Sequence, residues 1–248
     1  MENPLVTIYI TNRNYGAYLE KAIQSSLNQT YKNIEIIIVD DSSNDSSHKI
    51  LKRFKKYNKV RIIKNIKKKG LVKSSLKAIK LSKGDFILRL DADDFLNKDA
   101  IKLMINKIKN KRNYGLIFCD YYNIDSKSKV LSRYKYKHKK KYTIMDTPAH
   151  GACSLINKKN YLKIGGYNNL FDRQDGYYLW ILMNLNDFKI LHLQKPLFFY
   201  RKHGKNLSND KLKILKTRFK IIHYLLQKKN VPQAFFLKKL LKQTKKKL

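Results

Sequence analysis

Over roughly its first 110 residues the chain alternates short apolar runs with amphipathic ones, and that alternation restricts the folds open to it. Val6 to Thr11, Ile34 to Val39, Val60 to Asn65 and Phe86 to Leu90 are strand-like: brief, rich in β-branched and other apolar residues, and broken by few charges. Strands of that kind are covered on both faces. Between and after them, Ala17 to Asn28, about Asp45 to Lys56, Leu71 to Leu81 and Asp99 to Asn110 carry helical spacing. In the first of these, Leu19, Ala22, Ile23, Ser26 and Leu27 form one inner stripe. Strands alternating with helices predict right-handed βαβ units and an α/β fold with a mostly parallel, twisted sheet flanked by helices.

Acidic residues mark two of the predicted strand ends. The fourth strand runs into Asp91, Asp93 and Asp94, and the second into Asp40 and Asp41. The chain has 55 Lys and Arg against 18 Asp and Glu, a formal net charge of +37, so composition does not put acids there. Open α/β sheets bind ligands at the carboxyl ends of their strands. A divalent cation, Mg²⁺ or Mn²⁺, is the simplest reason to gather oxygen ligands at such an edge. An Asp-rich turn in which Asp94 or Asp99 caps the next helix is the competing reading. Both stay open on spacing alone.

Beyond Asp125 the alternation fades. Tyr114 to Asp125 reads as a fifth strand, and Ser126 to Tyr142 as a basic, Tyr-rich hairpin or mobile loop. His150 to Ile156 reads as a strand and Asn160 to Ile164 as a short helix closed by Gly165 and Gly166. Asp172-Arg173-Gln174-Asp175 precedes a helix from about Gly176 to Leu185 that carries Trp180. Phe188 to Leu193 and Leu197 to Arg201 read as two further strands, and Leu212 to Leu226 and Pro232 to about Gln243 as a C-terminal helical extension. The last helix sets Phe235, Phe236, Leu240 and Leu241 against lysines, a pattern that suits a membrane interface or packing on the domain.

A hydrophobic content of 43% supports a real core. Cys119 and Cys153 are too few for a disulfide framework and lie in apolar surroundings, so both are expected to be buried, reduced thiols. The first residues show no signal-peptide pattern, and the apolar run Tyr178 to Leu185 is too short to cross a bilayer. These readings point to a cytoplasmic location. The excess charge is mostly lysine, with nine arginines, and no helix-turn-helix, zinc or RNA-binding signature accompanies it. No specific nucleic-acid partner is therefore expected. The acid-free basic runs Lys127 to Lys141 and Lys211 to Leu248 suit a solvated face or an anionic membrane surface.

In their order and spacing, several motifs together resemble the family 2 glycosyltransferases, whose GT-A fold binds a nucleotide sugar. They are Val6-Thr-Ile-Tyr-Ile-Thr11, Ser26-Leu-Asn-Gln-Thr-Tyr31, Ile38-Val-Asp-Asp41, Lys83 to Asp94, Gly165-Gly-Tyr167, Gln174 to Trp180 and Tyr200-Arg-Lys-His203. The resemblance implies an inverting enzyme that moves a sugar from a nucleotide-diphosphate donor, UDP-linked by expectation, to the hydroxyl of a glycan or lipid-linked acceptor. Such enzymes build cell-surface polysaccharide, lipopolysaccharide or glycoconjugate. It implies nucleotide binding by Thr11, Arg13, Asn14, Asp41, Gly70 and Asp91. It also implies a metal, Mn²⁺ or Mg²⁺, on Asp93 and His203, and Asp175 as the catalytic base. His150, Gly151, Gln174 and Trp180 fall on its acceptor side.

Residues 1–208 would form the catalytic domain, with a nucleotide-binding half at 1–110 and an acceptor-binding half at 111–208, followed by a basic amphipathic tail at 209–248. The implied location is cytoplasmic and peripheral to the inner face of the membrane. Three places depart from the family pattern: Arg13 replaces a frequent aromatic, Gln174 a frequent Glu, and Leu71-Val-Lys73-Ser-Ser75 the usual small-residue and Arg pattern after the glycine loop, where Lys69 or Lys73 would substitute for the Arg. Read from residues alone, an N-cap of the helix that follows is the favoured role of Asp175, and only the resemblance favours the base. The competing whole-chain reading is a basic protein that binds nucleic acid or anionic surfaces on a degenerate transferase fold.

Overall fold

The structure is a computed structural model that describes residues 3–108, 113–204, 206–228 and 233–248. The first half alternates as its apolar runs dictate: β1 (Val6–Asn12), α1 (Gly16–Leu27), β2 (Ile34–Asp40), α2 (Ser47–Phe54), β3 (Val60–Lys64), α3 (Leu71–Leu81) and β4 (Phe86–Asp91). A two-residue strand β5 (Phe95–Leu96) and α4 (Ala100–Ile108) follow. The expected helix end at Asn110 lies outside the described residues. The second half contains β6 (Tyr114–Ile124), β7 (Val130–Tyr134), β8 (Leu155–Asn157), α5 (Lys158–Lys163), α6 (Asp175–Leu185), β9 (Lys189–Arg201), α7 (Lys211–Leu226) and α8 (Ala234–Lys245).

All nine strands join one sheet in the order β3-β2-β1-β4-β8-β6-β9-β5, with β7 added along β6. The long ladders are parallel: β1 with β2 and β4, β2 with β3, and β6 with β9. The β8, β5 and β7 strands run against them in short antiparallel ladders. One apolar layer packs the β1, β2 and β4 side chains Ile8, Ile10, Ile36, Ile38 and Leu88 against α1 and α4. A second packs Tyr9, Ile37, Val39 and Ile87 against Ala78, Ile79, Trp180 and Met183 of α3 and α6. Strands covered on both faces explain why their edges are so well marked in the sequence.

Two expectations change and one open choice is resolved. The strand expected over His150 to Ile156 is confined to Leu155–Asn157, because Cys153 takes a left-handed backbone (φ 53°) that a strand does not accommodate. The two strands expected between Phe188 and Arg201 are one, β9, whose register shift between the Cys119–Leu193 and Asp120–Pro196 pairs absorbs the proline. The Ser126 to Tyr142 stretch supplies a hairpin strand, β7, paired to β6.

The C-terminal extension packs on the domain. Ile221, Ile222 and Leu225 of α7 and Leu237 of α8 are buried with Tyr178, Ile181, Leu182 and Leu185 of α6. Phe235 and Phe236 remain 74% and 44% exposed. The helix start expected at Pro232 lies outside the described residues, and no described helix is long and apolar enough to cross a membrane.

Candidate functional site

Parallel registration brings the acids to one edge. Thr11 pairs with Asp91 across β1 and β4, and Asn12 with Asp40 across β1 and β2. A cleft of about 350 Å³ opens over that edge. Its walls include Thr11, Asp91 and Asp93 from the first half and His150, Gly151, Gln174 and Asp175 from the second.

Arg89 links the two halves. It lies one turn of the pleat before Asp91 in β4 and is 5% exposed. Its Nε meets Asp91 Oδ1 at 3.0 Å, and its Nη1 donates a short hydrogen bond to Asp175 Oδ2. A charge buried this deeply requires partners, and two carboxylates provide them. The loop before β8 makes room: a Cβ at Gly151 would lie 2.6 Å from Arg89 Nη2. Asp175 is the first residue of α6, and Gln174, with a left-handed backbone, takes the capping position without a side-chain cap. The carboxylate of Asp175 is thus committed to Arg89 and the cleft, and the capping role does not hold.

Asp93 sits just past the strand, where its Oδ2 meets His203 Nε2 at 2.8 Å. His203 also stacks on Tyr18. Arg201 holds this corner together. Fully buried, it donates from its backbone N to Asp94 Oδ1 (2.8 Å) and from Nε to the Asp93 carbonyl (2.7 Å). Asp94 is thereby structural and caps no helix. Burial raises its pKa well above the ordinary carboxylate range, and the charges of Asp93 and Asp91 add to the rise. Burial likewise pushes Asp91 up to about 6; Arg89 opposes the shift, while Asp93 and Asp175 reinforce it. Crowded carboxylates of this kind suit a divalent cation, whose charge removes their repulsion. Asp93 and His203 offer an oxygen and a nitrogen donor. Among the described residues no three metal-ligating side chains converge, and Mg²⁺ in particular takes one or two carboxylates and completes its shell with water or substrate phosphate. The donor set fits the ion.

Asp41 stands apart from the cleft and closes the loop before α3. Its oxygens accept from Asn65 Nδ2 (2.8 Å), Lys69 N (2.7 Å) and Gly70 N (2.8 Å). Burial acts to raise its pKa, but these donors outweigh it and hold the carboxyl below the usual range. Gly70, at φ 88°, supplies a backbone few other residues adopt. Arg13 Nη1 donates to the Asp41 and Ser42 carbonyls at 2.8 and 3.1 Å, and Asn14 Oδ1 accepts from Asn44 N at 2.9 Å. Arg13, Asn14, Asp41 and Gly70 thus form one patch beside the cleft. Trp180 is 1% exposed, with Nε1 bound to the Thr143 carbonyl, so it belongs to the core and does not line the cleft.

Arg89 and Arg201 did not figure among the residues expected at the site. The signal for Arg89 was present, since a lone arginine inside Phe86-Ile-Leu-Arg-Leu is costly unless acids wait for it. Both cysteines are buried and unpaired, their sulfurs 3.6 Å apart.

The sequence model of glycosyl transferase family 2 matches residues 7–165, a span that ends before Asp175. The chain is 28% identical over 229 residues to the chondroitin synthase of Escherichia coli, covering 91% of this chain but about a third, 33%, of that protein. It is 31% identical over 210 residues to an uncharacterized glycosyltransferase of Methanocaldococcus jannaschii, covering 81% of this chain and 72% of the relative. To the UDP-Glc:alpha-D-GlcNAc-diphosphoundecaprenol beta-1,3-glucosyltransferase WfaP of Escherichia coli it is 30% identical over 215 residues, 85% of this chain and 82% of that one. Among solved structures, S. aureus TarS 1–349 in complex with UDP-GlcNAc superposes with a TM-score of 0.77 at 15% identity, over 97% of this chain and 71% of that one. The mannosyltransferase PcManGT from Pyrobaculum calidifontis, in complex with GDP-Man and Mn²⁺, gives 0.74 at 12% identity over 98% and 69%. At these identities the superpositions speak for the fold.

Proposed function

The chain belongs to glycosyl transferase family 2, and on that premise we propose that it moves a sugar from a nucleotide-diphosphate donor to an acceptor hydroxyl by an inverting single displacement. The observation that carries the reading is the convergence of Asp91, Asp93 and Asp175 on one cleft, with Arg89 bridging the first and the last. Thr11 and Asp91 would hold the ribose and phosphates, and the Arg13, Asn14, Asp41 and Gly70 patch the base. Asp93 and His203 would hold Mn²⁺ or Mg²⁺. When bound, that ion supplies Lewis-acid stabilisation of the departing diphosphate.

Asp175 would take the proton of the acceptor hydroxyl as the new glycosidic bond forms. Arg89 orients that carboxylate toward the cleft, and His150 and Gly151 shape the wall beside it. The structural relatives were solved with UDP-GlcNAc and GDP-Man, which supports a nucleotide sugar as the donor class. The names of the curated relatives support a role in cell-surface polysaccharide or lipid-linked glycan synthesis. Residues 1–208 would then be the catalytic unit. The tail at 209–248, whose α8 exposes Phe235 and Phe236 among lysines, would touch an anionic membrane surface from the cytoplasmic side.

Isothermal titration with UDP- and GDP-sugars in the presence of Mn²⁺ tests the donor reading. Binding that depends on Asp93 supports it; no binding by any nucleotide sugar refutes it. Cosedimentation with anionic vesicles tests the tail, and unchanged binding after removal of residues 233–248 would exclude α8 as the contact.

A further inference from the structure

We propose that the wall of the cleft beyond Asp175 is a binding site for an anionic group carried by the acceptor, held by Arg173 and Arg218. The inference rests on the glycosyltransferase reading of the same cleft and names the chemical class of its second substrate. Arg173 directly precedes Gln174 and Asp175, whereas Arg218 arrives from α7, yet both line the cleft with Asp175 and Tyr177.

Arg218 is held by neutral partners, and Arg173 is met by carboxylates only at long range. Arg218 donates from Nε to Gln174 Oε1 at 2.6 Å and lies 4.6 Å from the centre of the Tyr177 ring. It has no ion-pair partner among the described residues. The Arg173 side chain is 12% exposed, and its nearest carboxylates, Asp172 at 3.8 Å and Asp210 at 3.9 Å, lie beyond hydrogen-bond reach and are themselves mostly exposed. Its Nε and Nη1 are buried without an acceptor. Leaving charged donors unsatisfied in a partly desolvated wall is costly, and an anion arriving there would remove the cost. The residue type points the same way. Arginine is scarce in this lysine-rich chain, with nine in all, and its planar fork matches phosphate and carboxylate in two-point contacts that lysine cannot make. On the proposed reading the donor diphosphate sits with Asp91 and Asp93, and neither of these acids is paired with Arg173 or Arg218. An anion beside the base is therefore one that the acceptor brings, as a phosphate linked to its sugar or a uronate within it.

The test uses the full chain with Mg²⁺ and saturating UDP or GDP, whichever binds, so that the donor phosphate site is filled. Glucose 1-phosphate, methyl glucuronide and methyl glucoside are then titrated. The expected result is at least a tenfold preference for one or both anionic sugars over methyl glucoside. Preference for the phosphate identifies a phosphate-linked acceptor, and preference for the glucuronide a uronate. Arg173→Gln and Arg218→Gln should each erase most of that preference, while Arg218→Lys keeps part of it and nucleotide affinity stays unchanged. Equal binding of all three sugars, or full preference in both glutamine variants, overturns the proposal. Should neither nucleotide bind, the glycosyltransferase reading fails first.

Discussion

A guanidinium inside a strand must be neutralised where it lies, and Arg89 is neutralised by carboxylates from both halves of the chain. Replacing it by Met leaves Asp175, 5% exposed, as a buried charge without its partner. Arg89→Met should therefore lower stability by about 3–5 kcal/mol, the usual cost of breaking a buried pair, in urea denaturation. Asp175→Asn keeps the shape of the side chain and removes its basicity. Turnover should fall by about 10²–10⁴-fold, the span of general-base contributions, while nucleotide affinity measured by titration stays within about twofold. His150 carries a pH signature. Burial, then the positive charges of Arg89 and Lys202, pushes its pKa down to about 3. Its depressed value makes the folded state bind fewer protons than the unfolded one below the ordinary value of about 6.5. Its contribution to stability is full above that pH and is lost as pH falls toward 3. Chemical denaturation of wild type and His150→Gln at pH 7 and pH 4 should show a smaller loss in the variant.

At the scale of elements, the loop between β7 and β8 is set by how closely it approaches Arg89. Gly151→Ala would place a methyl group 2.6 Å from the guanidinium, and the side chain must shift to admit it. Turnover should drop at least tenfold while far-ultraviolet dichroism is unchanged, since no strand or helix includes that position. The donor-side elements were legible in the sequence because β1, β2 and β4 are covered on both faces, so each strand shows as a largely apolar run. The acids at their ends were legible because they oppose the composition. The acceptor side was harder to read. β8 is cut short by the backbone of Cys153, and β9 runs through Pro196 by a register slip that local pattern cannot foresee. Arg89 was overlooked because its partner Asp175 lies 86 positions away, a distance at which spacing carries no information.

At the scale of the molecule, the C-terminal helices complete the core, and α7 reaches the cleft. Ile221 of α7 is fully buried against α6, the helix that begins with Asp175. Ile221→Ala should cost about 2–5 kcal/mol by the usual cavity argument, read from the denaturation midpoint. The central claim joins this whole architecture to one reaction: a nucleotide sugar bound at the β1–β4 edge and attacked through Asp175. It is tested most directly by a panel of nucleotide sugars with Mn²⁺, scored by thermal shift and by release of nucleoside diphosphate, for wild type, Asp93→Asn and Asp175→Asn. Ligand that binds the folded state raises its melting point, so binding and turnover separate in one experiment. The account predicts that at least one nucleotide sugar stabilises wild type and Asp175→Asn alike, stabilises Asp93→Asn far less, and is turned over by Asp175→Asn at least about 10²-fold more slowly than by wild type. Full turnover in Asp175→Asn, or a panel in which no nucleotide sugar shifts the wild type, would contradict it.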